Sequence, residues 1–200
     1  MPPLRCAILI SGSGRTLENL ARGIRAKRLR LEIAGVLSSR RDAYGLVRAK
    51  RLGLPSKIVR PKDFRNRRAF WKTTAEALDA WAPDFVVMAG YLCYWRIPKR
   101  YAGRVVNIHP SLLPAFGGKG CYGHLVHEQV IAAGVKVSGC TVHAVDDVYD
   151  HGKILGQVRV KVLRRDTPDS LARRVFRAET ALYPKVLERI ACGRIRLPIR

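Results

Sequence analysis

"LRCAILISGSGRTLENLARGIRA" occupies residues 4–26. Its opening, Leu4–Ile10, is a short and nearly continuous apolar run. Such a run reads as a strand buried on both faces, because a strand with one wet face would alternate. "SGSG" stops it, since glycine and serine favour turns over regular structure. Apolar residues then return at helical spacing through "TLENLARGIRA". Strand, glycine turn and helix in that order form the first unit of an α/β fold.

The same alternation continues outward from this unit. "LEIAGVLSS" (31–39) reads as a second strand, and "DAYGLVRAKRLG" (42–53) as a helix ending at a glycine. A short strand is expected around Ser56–Val59, then a helix near Asn66–Trp81. "DFVVMAG" (84–90) and "GRVVNIH" (103–109) are two further buried strands. Strands alternating with helices predict a parallel sheet with helices on both faces. After residue 135 the pattern changes. "VKVSGCTVHAV" (135–145) and "KILGQVRVKV" (153–162) have no helix between them and are predicted to pair antiparallel across "DDVYDHG". A long amphipathic helix follows from about Asp169, with Leu171, Val175, Ala178 and Leu182 on one face. Pro184 is expected to kink or end it. The expected class is α/β: a Rossmann-like open, mostly parallel sheet with antiparallel edge strands. No repeat or low-complexity linker interrupts the chain, so residues 1–200 read as a single domain.

Composition narrows the function. An apolar fraction of 48% fits a globular domain rather than a disordered one. No apolar run is long enough to span a membrane, and the N-terminal run is too short for a secretory signal, so a cytoplasmic location is expected. Five scattered cysteines, none in a C-x-x-C pair, predict reduced thiols and no zinc site. The 38 Lys and Arg against 15 Asp and Glu, net +23, should attract anionic partners. That charge is uneven: residues 101–150 hold three basic and four acidic residues, net −1.

Two stretches carry candidate chemistry. In "SGSGRT", Gly14, Arg15 and Thr16 offer backbone donors, a guanidinium and a hydroxyl at a helix N-terminus, where a phosphate can be held. An ordinary strand-to-helix turn explains the same residues equally well, because the full dinucleotide and P-loop patterns are missing. "NIHPSLLPAFGG" (107–118) leaves a buried strand and at once displays an amide and an imidazole. Asn107 and His109 are two apart, so both point to one side of the strand. The pair suits oxyanion stabilisation and proton movement. A hydrogen-bonded polar turn is the plainer alternative. Asp150 is the candidate third group, expected to orient His109 and raise its pKa; a solvated turn residue is its plainer reading. The residues alone lead to a phosphate-bearing ligand and acyl-type transfer, and no further.

Together these stretches resemble a known family, the folate-dependent phosphoribosylglycinamide formyltransferases of purine synthesis. "ISGSGRTL", "APDFVVMAGY", "YAGRVVNIHPSLLPAF", "VSGCTVHAVDDVYDHGKIL" and "RAETALYP" carry the likeness in order along nearly the whole chain. The resemblance implies formyl transfer from 10-formyltetrahydrofolate, a co-substrate, to the amine of glycinamide ribonucleotide, with no metal. It implies catalytic roles for Asn107, His109 and Asp150, with Asp150 keeping His109 charged. It implies substrate binding by Gly14, Arg15, Thr16 and Glu179, the last toward the ribose hydroxyls. Folate would meet Arg67 near its glutamate tail. The backbone of Leu92, Cys93, Tyr94 and Trp95, with Asn107 and the Asp146–Asp150 loop including Asp147, would enclose the pterin.

This chain also departs from the pattern. "GYLCYWRIP" stands where the family commonly has "GFMRILSP", so Cys93 replaces an arginine and Tyr94 and Trp95 are bulkier than usual. "GGKGCYGHLVHE" is longer than its counterpart in many relatives; Lys119 and His124 there could reach a ligand, and a solvated loop is the plainer reading. His143, inside an apolar strand, is read as a satisfied core histidine. Alternatives are a formyltransferase acting on an aminoacyl-tRNA or amino sugar, or a nucleic-acid-binding relative that has lost its chemistry. The resemblance of the tRNA branch includes an extra C-terminal domain, which this chain is expected to lack. The expected partners are the two small substrates, with weak, salt-sensitive nucleic-acid binding, no membrane, and a monomer or homodimer.

Overall fold

The computed structural model describes residues 2–197. Five strands, β1 (Leu4–Ile10), β2 (Leu31–Ser38), β3 (Ser56–Ile58), β4 (Phe85–Met88) and β5 (Val105–His109), run parallel. β6 (Val137–Ala144) and β7 (Ile154–Lys161) extend the same sheet antiparallel. The spatial order is β3-β2-β1-β4-β5-β6-β7. The expected α/β class and its antiparallel edge are therefore observed, with each strand within about two residues of its predicted ends.

Two cores flank the sheet. Cys6, Ile8 and Ile10 of β1 face one side, and Ala7 and Leu9 the other, as period-two alternation requires. The first side is covered by α1 (Arg15–Arg25), α2 (Tyr44–Arg51), α4 (His124–Ala132) and α5 (Pro168–Ala191). The second is covered by α3 (Arg67–Asp79) and the segment around Tyr91, Trp95 and Tyr101.

Two expectations are corrected. The solvated loop read into "GGKGCYGHLVHE" ends at Gly123, and α4 begins at His124. Its apolar residues do not form one stripe, so helical periodicity could not reveal it, yet Val126 and Val130 are buried against α5 and the sheet. The other concerns Pro184: of the two outcomes expected, the ending does not occur, and the helix runs on to Ala191. Proline has no N–H, so the carbonyl four residues back, at Thr180, loses its helical donor. Asn19 of α1 supplies one, its amide donating to that carbonyl at 3.0 Å.

The strand order places the site. From β1 the chain winds outward through β2 and β3, then returns to place β4 on β1's other flank. Loops leaving β1 and β4 must part at that reversal, opening a crevice at the carboxyl ends of the strands. β5, ending at His109, lies next to β4.

Candidate active site

A cleft of about 560 Å³ occupies this crevice. Its walls are the β1–α1 loop, residues 88–95 after β4, the end of β5, the 118–124 loop, residues 145–150 and one face of α5.

The first wall is an exposed helix start. Gly14 caps α1 in the left-handed region at φ 72°, and no side chain caps the helix. A Cβ here would fall on the Gly45 backbone of α2, so close approach as well as conformation demands glycine. The α1 N-terminus thus turns uncapped donors and the positive end of its dipole toward the cleft beside Gly14, Arg15 and Thr16. The Arg15 guanidinium lies over the ring of Phe176 of α5, its central carbon 4.0 Å from the centroid. Glu179, one turn further along α5, also faces the cleft. Burial pushes its carboxyl up to about 7, and Arg15 pulls weakly the other way. Tyr183, a turn beyond, holds this face in place: its hydroxyl lies 3.0 Å from the Met88 carbonyl and 2.9 Å from that of Val106.

The opposite wall holds the charged cluster. Antiparallel pairing sets His143 directly across from Asn107. The His143 Nδ1–H donates to the Ala144 carbonyl at 3.0 Å, which leaves Nε2 to accept from the Asn107 amide at 3.1 Å. One amide hydrogen of Asn107 is so committed, and the other is free for the cleft. The sequence reading of His143 as a satisfied core residue holds for its hydrogen bonds and its 1% exposure, but the residue is also part of this cluster. Asp150 sits at φ 53° after β6, accepts from the Gly118 N–H at 3.0 Å, and places its oxygens 3.5 Å from His109 Nδ1 and 3.6 Å from His143 Nε2. Burial pushes its carboxyl up, but His143, His109 and the Gly118 N–H together hold it below the usual range.

His109 is 4% exposed, and its Nε2–H donates to the Phe116 carbonyl at 2.8 Å. The turn between them is itself braced. Thr141 of β6 donates to the Ser111 carbonyl at 2.7 Å and accepts the Leu113 N–H at 3.1 Å, and Gln157 of β7 donates to the Leu113 carbonyl at 2.9 Å. The "HPSLLP" turn is therefore a rigid mount for the imidazole. One expectation is overturned here: Asp150 does pull the His109 pKa up, but burial outweighs it, and the ring sits below its ordinary value. A neutral ring with Nε2 protonated leaves Nδ1, 3.5 Å from the Asp150 carboxylate, as the atom that accepts a proton.

The remaining predicted residues divide. Leu92, Cys93, Tyr94 and Trp95 line the cleft. The Leu92 N–H donates to Ser11 Oγ at 2.9 Å, and the Tyr94 carbonyl already accepts from the Trp71 indole at 3.0 Å. Tyr94 also reaches across the mouth, its hydroxyl donating to the Asp147 carbonyl at 3.0 Å and its ring 5.1 Å from that of Tyr149. Asp146 lines the cleft, but its carboxylate is occupied by the Val148 N–H and His151. Asp147 does not line it and takes part through its backbone. Arg67, at the exposed start of α3, stands outside the lining but near enough for its charge to lower the Tyr149 phenol against the rise from burial. His127 was not legible in the sequence. It is buried against the cleft, its Nδ1 has no partner among the described residues, and burial, with the His124 and His109 charges, holds it down to about 4. All five cysteines are free.

The formyl transferase family model matches residues 4–187. The chain belongs to that family. It is 34% identical over 195 residues to phosphoribosylglycinamide formyltransferase from Haemophilus influenzae, covering 96% of this chain and 90% of the relative. It is 38% identical to the trifunctional purine biosynthetic protein adenosine-3 of Bos taurus, of whose length it spans 19%. In structure it is similar to glycinamide ribonucleotide transformylase 1 from Symbiobacterium toebii, with TM-score 0.91, 41% identity, and coverage of 98% of this chain and 91% of that one. No helix among the described residues is long and apolar enough to cross a membrane.

Proposed function

We propose that this chain transfers the formyl group of 10-formyltetrahydrofolate to the primary amine of glycinamide ribonucleotide. The observation that carries the reading is the meeting, in one cleft, of an uncapped helix N-terminus with the Asn107–His109–Asp150 cluster. The first suits a phosphate and the second suits acyl transfer, and a phosphorylated amine substrate needs both.

In this reading the phosphate sits at Gly14–Thr16 and the ribose hydroxyls meet Glu179. The pterin lies between residues 92–95 and the Asp146–Asp150 loop, while Arg67 at the rim attracts the glutamate tail. As the amine adds to the formyl carbon, the free amide hydrogen of Asn107 donates to the oxygen that becomes negative. His109 Nδ1 takes the proton released by the amine, and the imidazolium so formed is stabilised by Asp150 and by the Phe116 carbonyl. Collapse returns that proton to the departing nitrogen of the folate. His143 acts on the cluster by fixing the Asn107 amide. No step calls on a metal. A single domain over residues 1–200, a cytoplasmic location, a monomer or homodimer, and weak nucleic-acid binding belong to the same reading.

The test supplies purified protein with 10-formyltetrahydrofolate and either glycinamide ribonucleotide or charged initiator tRNA, and follows loss of the formyl donor. Turnover with the ribonucleotide is expected. Formylation of the tRNA alone would replace this substrate assignment.

A further inference from the structure

One face of α5 carries an aromatic ring that neither core uses. Leu171, Val175 and Leu182 of this helix pack into the core, while Ala172, Phe176 and Glu179 line the cleft. Phe176 meets the Arg15 guanidinium there, at 4.0 Å from the ring centroid. A cation–π contact spends none of the guanidinium's N–H donors. Arg15 makes no side-chain hydrogen bond or ion pair among the described residues. Glu18, one turn along α1, does not answer it, because Arg48 holds that carboxylate.

Glu179 is likewise without a hydrogen bond or ion pair among the described residues. The titratable groups that act on it are Arg15 of α1, Cys140 of β6 and Tyr183 of α5. Burial pushes the Cys140 thiol up to about 12 and the Tyr183 phenol well above its usual range, so both are neutral and Arg15 is the charge that Glu179 feels. A flexible cation and a carboxyl thus share one cleft wall without forming the ion pair expected of such neighbours. Phe176 stands one turn before Glu179 and holds the cation off. We infer that Phe176 is a positioning residue: it keeps Arg15 apart from Glu179, leaving the guanidinium for the substrate phosphate and the carboxyl for the ribose hydroxyls. The inference rests on the reading of Gly14–Thr16 and Glu179 as the phosphate and ribose contacts. Without the ring, Arg15 closes on Glu179, and one ion pair fills both subsites.

The test measures the KM for glycinamide ribonucleotide in the wild type, Phe176→Leu, Phe176→Tyr, Arg15→Gln and the double variant Phe176→Leu/Arg15→Gln. Phe176→Leu is expected to raise that KM about tenfold, the size of one lost charge-assisted contact, with kcat within about twofold. Phe176→Tyr keeps a ring under the cation and should restore the KM. In the Arg15→Gln background the leucine should cost nothing further, since no cation is left to misplace. A KM unmoved by Phe176→Leu, a tyrosine as damaging as the leucine, or an equal leucine cost without Arg15 overturns the inference. Carbon-13 NMR titration of the glutamate carboxyls adds a readout that a merely structural role would not move. The Glu179 pKa should fall from about 7 toward the ordinary carboxylate range in Phe176→Leu and rise again in the double variant. An unchanged value overturns the inference. Calorimetry with ribose 5-phosphate separates this result from failure of the functional reading. Binding that weakens in Phe176→Leu and recovers in Phe176→Tyr supports the positioning role whether or not formyl transfer occurs, and no binding to the wild type overturns it.

Discussion

Replacing Glu179 with Gln removes a carboxyl that burial holds at about 7 in the folded protein. An unfolded chain releases that proton near pH ~4.3. The folded state thus binds the proton more tightly, and the stability it gains is full below the unfolded value and lost as pH rises through about 7. A rise of that size corresponds to at most about 4 kcal/mol, and water entering the open cleft reduces it toward about 1 kcal/mol. Even the lower figure is a visible share of a domain's ~5–15 kcal/mol. Glutamine fills the same space and cannot ionise. Urea unfolding at pH 5 and pH 8 should therefore show the wild type losing about 1–3 kcal/mol relative to Glu179→Gln between the two pH values, with unchanged slopes. The same variant should bind glycinamide ribonucleotide more weakly, because the carboxylate is the stronger acceptor for ribose hydroxyls. A stability difference that is constant with pH would refute the buried-carboxyl argument. An unchanged KM for the ribonucleotide would refute the ribose role.

His109→Ala should lower turnover by about 10²–10³. In the wild type the acid limb of kcat/KM should lie below the ordinary histidine range, since burial outweighs Asp150. Asp150→Asn removes the main upward pull and should move that limb lower still; a limb that rises contradicts the assignment. Gly14→Ala puts a side chain at φ 72° against Gly45 and should cost about 1–3 kcal/mol in thermal denaturation while raising the KM for the ribonucleotide. Asn19→Leu leaves the Thr180 carbonyl without its donor and should cost about 1–3 kcal/mol. Adding Pro184→Ala restores a helical N–H, so the double-mutant cycle should show strong coupling. Arg67→Ala should raise the KM for the folate donor and leave that for the ribonucleotide unchanged, as paired kinetics will show.

Local chemistry made much of this protein legible in its sequence. Short unbroken apolar runs ended by glycines read as strands of a buried parallel sheet, and their alternation with helical spacing sets the architecture. Gly14 had to precede a helix, and Asn107 and His109 had to share a strand face, because both follow from backbone geometry over a few residues. What lay beyond reach depended on contacts between distant segments. Asp150 is 41 positions from His109 by number, and only the β5–β6 pairing brings them together. The same register turns His143 from a plain core residue into the partner of Asn107. α4 is fixed by its packing on α5, more than 35 positions further along, and its own periodicity carries no sign of it. Pro184 reads as a helix breaker until Asn19, on another helix, answers the exposed carbonyl. The sign of the His109 shift was decided last. A nearby carboxylate and burial pull in opposite directions, and which prevails is set by how much water the folded walls exclude, a quantity no short stretch of residues contains.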